Sequence, residues 1–195
     1  NFGGGVCLTS TSQLKMYDTS SIRYNLAGTD GAGGVWADHA TIEMYNNSSV
    51  DNNSTDGNGG GILSTSTPVV LAQNASIHDN WTNLADSLGG GILIYNSTLD
   101  LYNSATIVRN QTHWSHSDSS NSKGGGVYAE CTTVYLHDSS SIAGNFSGMG
   151  GGAYLQCMVN GFGQTHYMTM GGSSTVTNNI ANSGGGIFSS TAYDG

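Results

Sequence analysis

The chain has 195 residues, the size of a single domain, and 36% of them are hydrophobic. Only 9% are charged, and the formal net charge is −9 with four basic residues, so the chain has too few cations to neutralise nucleic-acid phosphates or to bind an anionic membrane surface. No run of about eighteen apolar residues occurs. We therefore expect neither a nucleic-acid partner nor membrane insertion of this segment.

A twelve-residue pattern recurs six times along the chain. It reads apolar, variable, apolar, then a polar corner, then Ile or Val, and three residues later Asn. The copies are 14–25, 42–53, 69–80, 99–110, 134–145 and 168–179. They alternate with glycine-rich runs at 3–5, 32–34, 59–61, 89–91, 124–126, 150–152 and 184–186. A period near thirty residues, with two landmarks in a fixed order, indicates a solenoid in which each repeat forms one coil.

Three short strands are predicted in each coil. The apolar pair in each copy is spaced two residues apart, which is typical of a strand with one buried face. The Ile or Val begins a second strand at Ile22, Val50, Ile77, Ile107, Ile142 and Val176. A third strand follows each glycine run, where we expect positive φ or an approach too close for a Cβ atom.

These elements predict an all-β fold, a right-handed parallel β-helix of about six to seven coils. A helical interpretation of any single copy is opposed by the β-branched residues, the glycines and the period of two. We expect residues 1–195 to form one β-helix domain that belongs to a longer chain or fibre.

The final Asn of each copy is predicted to form a structural ladder. Neighbouring coils lie about 4.8 Å apart, so equivalent side chains stack, and their amides can bond to each other and to the corner backbone. The ladder comprises Asn25, Asn53, Asn80, Asn110, Asn145 and Asn179.

Nine Asn residues satisfy the Asn-x-Ser/Thr pattern for N-glycosylation. Composition alone also accounts for many such sites, but with the low charge they favour a glycosylated extracellular surface. A buried ladder amide cannot accept a glycan, so we expect sugars on Asn46 or Asn47, Asn74 and Asn96, and less on Asn52, Asn53, Asn80, Asn110 and Asn145. If the ladder instead faces water, sugars would follow a whole edge of the molecule.

An apolar and aromatic stripe is predicted on the outside of the third strands. Alternation directs one residue per coil away from the core: Cys7, Trp36, Leu63, Leu93, Tyr128, Tyr154 and Phe188. Loops, another protomer or sugar rings could cover this stripe, or a bend at the glycines could turn it inward. A second outward column, Tyr17, Tyr45, Tyr102 and His137, is explained by stacking between coils.

Two cysteines occupy equivalent positions of successive coils. Cys131 and Cys157 each lie four residues after the start of a third strand, a spacing that predicts a disulfide and an oxidising compartment. Cys7 has no counterpart in register and is either free or paired elsewhere.

No constellation of residues predicts catalysis, a cofactor or a metal site. His113 and His116 share a segment with Asp118, but no second ligand pair supports a metal, and a solvated loop explains them better. Glu43 and Asp100 are two coils apart, whereas β-helical polysaccharide-cleaving enzymes cluster their carboxylates. We therefore expect a protein that is not an enzyme.

The pairing of Ile/Val-x-x-Asn with a following Gly-Gly-Gly-Ile/Val, as at 50–53 and 59–62, resembles the repeat of the polymorphic outer-membrane proteins. That family uses Phe-x-x-Asn and Gly-Gly-Ala-Ile/Leu/Val. The resemblance covers nearly the whole chain, with Ile or Val in place of Phe, and Gly in place of Ala except at Ala153. It implies an autotransporter-passenger-like surface protein with roles in adhesion and self-assembly. The Asn-x-Ser/Thr sites also fit a eukaryotic or archaeal surface protein with a similar repeat.

The leading functional hypothesis is a non-enzymatic extracellular structural protein, a subunit of a glycosylated surface fibre. Its expected partners are covalent N-glycans and other copies, associated laterally or head to tail, because residues 193–195 followed by 1–3 resemble the internal segment 55–59. One alternative is an adhesin that binds glycans or a host protein through residues 110–123, including Trp114, and through the stripe at Trp36. Another alternative is a polysaccharide lyase or hydrolase.

Overall fold

The computed structural model describes residues 3–113, 121–158 and 167–192. The chain forms a parallel β-solenoid: two sheets of six strands and one of seven run along its length, so it completes six coils and enters a seventh. The described residues contain no helix. The predicted all-β parallel β-helix is therefore confirmed.

Each of the first six coils contributes one strand to each of the three long sheets. The first coil contains β1 (Val6–Thr9), β2 (Gln13–Met16), β3 (Ser21–Arg23) and β4 (Leu26–Ala27). The second contains β5 (Val35–Asp38), β6 (Thr41–Met44), β7 (Ser49–Asp51) and β8 (Ser54–Thr55). The third contains β9 (Ile62–Thr65), β10 (Val69–Leu71), β11 (Ser76–His78) and β12 (Trp81–Thr82). The fourth contains β13 (Ile92–Tyr95), β14 (Thr98–Leu101) and β15 (Thr106–Val108).

The later coils follow the same order. The fifth contains β16 (Val127–Glu130), β17 (Thr133–Leu136), β18 (Ser141–Ala143) and β19 (Phe146–Met149). The sixth contains β20 (Ala153–Met158), β21 (Tyr167–Met170), β22 (Thr175–Thr177) and β23 (Ile180–Ser183), and the seventh begins with β24 (Ile187–Ala192). Every pairing between neighbouring coils is parallel, because each strand is repeated one turn later in the same direction.

The core is a set of apolar columns inside the solenoid. The predicted interior column is confirmed, since Ile22, Val50, Ile77, Ile107, Ile142 and Val176 are successive register partners. Val50, Ile77 and Ile107 have no exposed surface. Full burial of such a side chain is worth roughly 1.5–3 kcal/mol, so the repeated columns are the main stabilising feature of the rod.

The prediction of three strands per coil was incomplete, because a short fourth strand follows most of the ladder Asn residues. The strands β4, β8 and β12 form one sheet and β19 pairs with β23, while Gln111 bridges Trp81 and Phe146. The inward side chains of this face are mostly hydroxyls, and Thr55, Thr82, Thr112 and Ser147 are all buried. Two residues are too few to show alternation, and a polar inner face does not resemble a buried strand in a sequence.

The hydroxyls of this fourth face bond to one another and to nearby backbone. Thr112 Oγ1 donates to Ser147 Oγ at 2.9 Å, and Ser147 Oγ donates to the Ser122 carbonyl at 3.0 Å. Satisfied hydroxyl groups can remain buried without a large desolvation cost. This side of the solenoid is therefore held by hydrogen bonds rather than by an apolar column.

The glycine runs meet both of the predicted requirements. Gly89 has a φ of +64°, a region that other residues adopt only with strain. A Cβ atom on Gly90 would lie 2.6 Å from the carbonyl oxygen of Gly125 in the next coil. Glycine therefore allows both the turn and the close contact between coils.

Candidate functional site

The six ladder Asn residues form the predicted hydrogen-bonded column. The Nδ2 atom of Asn80 donates to Asn110 Oδ1 at 3.0 Å and to the Val50 carbonyl at 2.9 Å. The Asn80 backbone N–H donates to the same Asn110 oxygen at 3.1 Å. Successive members are 28, 27, 30, 35 and 34 residues apart, yet each bonds to the next. Each ladder Asn lies at the bend that follows the strand with the buried Ile or Val, and we call this bend the ladder corner.

Burial of the ladder separates two groups of Asn-x-Ser/Thr sites. Asn53, Asn80, Asn110 and Asn145 are at most 1% exposed. An N-glycan is attached at Nδ2, the atom that these residues use to bond the next coil. These four residues cannot carry sugars in the folded chain. Asn47, Asn74 and Asn96 are exposed, Asn46 and Asn52 are half-buried, and glycosylation at any of these five positions stays a prediction.

A second, exposed ladder lies at the bend that follows the second strand of each coil, which is β2 in the first coil and β6 in the second. We call this bend the open corner. Its residues have positive φ, and from the second coil onward each uses a side-chain oxygen to accept a backbone N–H from the preceding coil. For example, Asn46 N–H donates to Gln73 Oε1 at 2.7 Å, and Gln73 N–H donates to Asn103 Oδ1 at 3.2 Å. The column comprises Asp18, Asn46, Gln73, Asn103 and Asp138. The sequence pattern predicts a polar corner at these positions, and the structure shows that this corner is also a hydrogen-bonded column.

The predicted interaction stripe is a single column, but much of it is covered. Trp36, Leu63, Leu93, Tyr128, Tyr154 and Phe188 are successive register partners outside the main core. Leu93, Tyr128 and Tyr154 are only 1%, 3% and 4% exposed, and they form a second cluster with Leu88, Tyr95 and Met149 packed against it. The assignment of these three residues to an interaction surface was therefore wrong.

Trp36, Leu63 and Phe188 are half-buried. The stripe is instead held together by its own stacking, since the rings of Tyr154 and Phe188 are 5.1 Å apart. Burial raises the pKa of Tyr95 to about 12, with a smaller contribution from the Glu130 carboxylate. Burial likewise raises the pKa of Tyr128. The stripe acts mainly as a small second core.

Two further expectations from register are found in the structure. The rings of Tyr17 and Tyr45 stack at 5.2 Å, and those of Tyr102 and His137 stack at 4.4 Å. Cys131 and Cys157 form a disulfide that joins the fifth and sixth coils, with a Cα–Cα distance of 4.6 Å. Cys7 is exposed and free.

The acidic residues are as separated as their register predicted. Val70 lies between Glu43 and Asp100 in the sheet, and Glu43 pairs with Lys15 at 3.2 Å. Within residues 3–113, 121–158 and 167–192, no group of three or more His, Cys, Asp or Glu side chains could hold a metal ion. Trp114, His116 and Asp118 lie outside the described residues.

An open depression along the ladder corner is the strongest candidate for a binding site. It has a volume of about 300 Å³ and spans three coils. The ladder residue Asn80 lies at its floor, and its rims are residues immediately before or after a ladder Asn. The lining residues are Asn52, Asp79, Asn80, Trp81, Arg109 and Gln111.

An ion pair forms one rim of the depression. Arg109 Nε donates to Asp79 Oδ1 at 2.8 Å and Arg109 Nη2 donates to Asp79 Oδ2 at 2.7 Å, a two-point contact between neighbouring coils. His78 Nδ1 lies 2.7 Å from Asp79 Oδ2. The Arg109 hydrogen bonds lower the pKa of Asp79, so the carboxylate is ionised at neutral pH.

The opposite rim contains an exposed indole. The Trp81 side chain is 40% exposed, and its Nε1 donates to Asn83 Oδ1 at 2.9 Å. Sequence reasoning missed this site because each residue is ordinary in its own repeat. The available signal was that an Asp and an Arg immediately precede the ladder Asn in consecutive repeats, and that a Trp follows the first of these Asn residues.

The fold and its stacked columns define the class of the molecule as a parallel β-solenoid repeat protein. Residues 42–65 match the Chlamydia polymorphic membrane protein repeat. This segment contains one Val-x-x-Asn motif and the following glycine run and strand, the same pairing on which the sequence resemblance depended. The match supports a β-helix like that of the polymorphic membrane proteins and is consistent with a cell-surface protein.

No curated protein and no solved structure is significantly similar to the chain. In the part of the chain that the structure describes, no helix is long and apolar enough to cross a membrane.

Proposed function

We propose that the chain is a non-enzymatic structural segment of a glycosylated extracellular fibre in which copies stack end to end. The main support is the uninterrupted parallel register, in which each coil pairs with the next along three continuous sheets. Val50, Ile77 and Ile107 have no exposed surface because a coil covers each of them on both sides. A solenoid built in this way can pair with a second copy through the same parallel register without a change of fold.

Parallel pairing gives a further copy a defined way to join the rod. Backbone N–H and C=O groups at the edge of a parallel sheet are available for a new neighbour. In the seven-stranded sheet, the strand chosen for the test is β24, whose first residue, Ile187, is 40% exposed. Head-to-tail stacking continues the parallel register of the sheets.

Sedimentation and electron microscopy of the purified chain test this proposal. We expect concentration-dependent association into rods, and we expect Ile187→Lys to abolish it, because a charge at a stacking surface opposes pairing. Leu84→Lys is the matched control, since Leu84 is 49% exposed but lies in a loop on the side of the rod. A wild-type chain that stays monomeric at all concentrations would contradict the proposal.

Glycosylation and the lack of enzymatic activity are tested separately. Peptide mass spectrometry of the secreted protein should find sugars at Asn47, Asn74 or Asn96, and none at the buried ladder. Incubation with a panel of acidic and neutral polysaccharides should yield no cleavage. Sugar on Asn80 or Asn110, or turnover of a polysaccharide, would contradict the corresponding part of the proposal.

Adhesion is the second candidate function, and the depression beside Trp81 favours it. The covered stripe leaves Leu93, Tyr128 and Tyr154 unable to contact a partner, whereas Trp81 is exposed next to a charged pair. The match to a surface-protein repeat is in agreement with this function. Binding of the labelled chain to intact cells, reduced by Trp81→Ala, is the expected result.

A further inference from the structure

We propose that the depression around Trp81 binds a neutral pyranose unit of a glycan. The inference rests on the second candidate function, adhesion, and specifies its site and its ligand. The depression contains an exposed aromatic face, a charged donor and, besides the ladder amide of Asn80, two further side-chain amides within one concave surface. Sites of this kind bind ligands that have both an apolar face and several hydroxyl groups.

Trp81 supplies the apolar face. It lies in β12, where the next residue, Thr82, is 3% exposed and points inward, so the indole points outward. The hydrogen bond from Nε1 to Asn83 orients the ring. An aromatic ring that is held before binding offers a large contact area at little entropic cost, and the C–H face of a pyranose can stack on it.

The polar groups suit hydroxyl groups of a sugar. Arg109 uses Nε and Nη2 to bind Asp79, so its Nη1 group provides additional donors on the same rim. Gln111 offers an amide with both a donor and an acceptor. Asn52 Nδ2 donates to Asp51 Oδ2 at 2.9 Å, so Asn52 offers its second amide hydrogen and its amide oxygen. Because the Asp79 contact holds the Arg109 fork in place, the donors are positioned before a ligand arrives.

The charge balance favours a neutral sugar. The positive charge of Arg109 is compensated by Asp79 within the depression, and the chain carries a net charge of −9 with four basic residues. A sulfated or strongly acidic glycan would be repelled by this field. A neutral hexose meets no such penalty.

The combination of features is specific to the third and fourth coils. At the equivalent rim positions the first coil has Tyr24 and Leu26, and the fifth has Gly144 and Phe146. In the described part of the chain, an ion pair between coils occurs beside an exposed Trp on the ladder corner only here. A purely structural ion pair would need neither the indole nor the concave surface.

A glycan array with neutral, sialylated and sulfated members, run alongside a cell-adhesion assay, tests the inference. We expect the wild-type chain to bind neutral glycans, and Trp81→Ala to reduce the affinity about tenfold or more. Tyr167→Ala is the matched control, because Tyr167 is a 53% exposed aromatic residue on another sheet. Gln111→Ala, at an exposed rim position, is a second variant in case Trp81→Ala disturbs folding.

The outcomes separate this inference from adhesion itself. Loss of neutral-glycan binding in Trp81→Ala or Gln111→Ala, with Tyr167→Ala unchanged, supports the site. Adhesion to cells that survives both enzymatic deglycosylation and Trp81→Ala overturns the sugar site but leaves adhesion in place. An absence of both glycan binding and cell adhesion overturns both. Binding restricted to sulfated or sialylated glycans overturns the neutral-sugar assignment.

Discussion

The ladder corner and the open corner both provide a hydrogen-bond acceptor for a backbone N–H at a bend, but they use different side chains. At both bends a side-chain oxygen in one coil accepts a backbone N–H from the preceding coil. At the ladder corner the acceptor is always Asn, and from Asn53 to Asn145 it is buried. At the open corner the acceptor is Asn, Gln or Asp, and it is largely exposed.

The two corners differ because water can replace a lost hydrogen bond at the exposed open corner but not at the buried ladder corner. A buried N–H without its partner bears the full desolvation cost, about 1–3 kcal/mol, whereas an exposed one bonds to water instead. The ladder amide also packs against a glycine, since a Cβ on Gly91 would lie 2.9 Å from Asn110 Nδ2. Burial therefore fixes the residue type at one corner and leaves it variable at the other.

The largest expected effect comes from removing a buried ladder member. Asn110→Ala removes the acceptor for two Asn80 N–H groups and all the bonds from Asn110 Nδ2. We expect a loss of about 3 kcal/mol in the free energy of unfolding, measured by urea denaturation. Gln111→Ala, the adjacent exposed position, is the control and should change little. A loss below about 1 kcal/mol for Asn110→Ala would show that the two corners are equivalent.

The corner at Cys131 uses a covalent link between coils, and its removal should have the next largest effect. The double change Cys131→Ser and Cys157→Ser opens a cross-link between residues 26 apart in sequence. We expect a loss of about 2 kcal/mol in unfolding free energy, at the low end of what disulfides typically contribute. Reductant should lower the thermal midpoint of the wild-type chain but not that of the double variant. Cys7→Ser is the control, and equal sensitivity of all three proteins to reductant would contradict the expectation.

The ion pair between Asp79 and Arg109 should contribute less to the free energy of unfolding than the buried ladder does. Its contribution should also depend on pH. The pKa of Asp79 is lowered below its usual value of 3.8, chiefly by the Arg109 hydrogen bonds. A lowered pKa in the folded state stabilises the protein above that usual value, and the contribution is lost as pH falls through the folded-state pKa. Because Arg109 is 59% exposed, we expect only about 0.2–1 kcal/mol.

The measurement compares the wild type with Asp79→Asn by denaturation at several pH values. The difference in unfolding free energy should be present at neutral pH and should shrink at pH values below 3.8. A difference that persists unchanged in acid would indicate that the side chain acts through packing instead.

The smallest effect is expected at the open corner. Gln73→Ala removes the acceptor for the Asn46 N–H, which is solvated and can bond to water. We expect a change within about 0.5 kcal/mol in the same denaturation assay. A loss near that of Asn110→Ala would mean that exposure does not explain the difference between the corners.

The sequence predicted features that recur in every coil. Columns such as Ile77 above Val50 follow directly from the repeat, because a parallel solenoid places equivalent residues in register. The disulfide between Cys131 and Cys157 followed from the same geometry.

Contacts made at positions where the repeats carry unlike residues could not be predicted. Leu88 and Met149 each immediately precede a glycine run and are register partners of Lys123, and they pack against the cluster of Leu93, Tyr128 and Tyr154. Alternation gives the direction of a side chain but not what covers it. The depression was missed for a related reason, since Asp79, Trp81 and Arg109 meet only after two coils have stacked.

The unequal spacing of the ladder Asn residues has a consequence for how such a molecule can diversify. The segment from Asn110 to the next glycine run is much longer than the one from Asn145, although both coils keep the same register along the rod. Insertions on this flank alter the outline of the molecule without shifting the axial position of any later turn. A lineage under pressure to vary its exposed face can therefore change one side repeatedly while inheriting the same backbone scaffold.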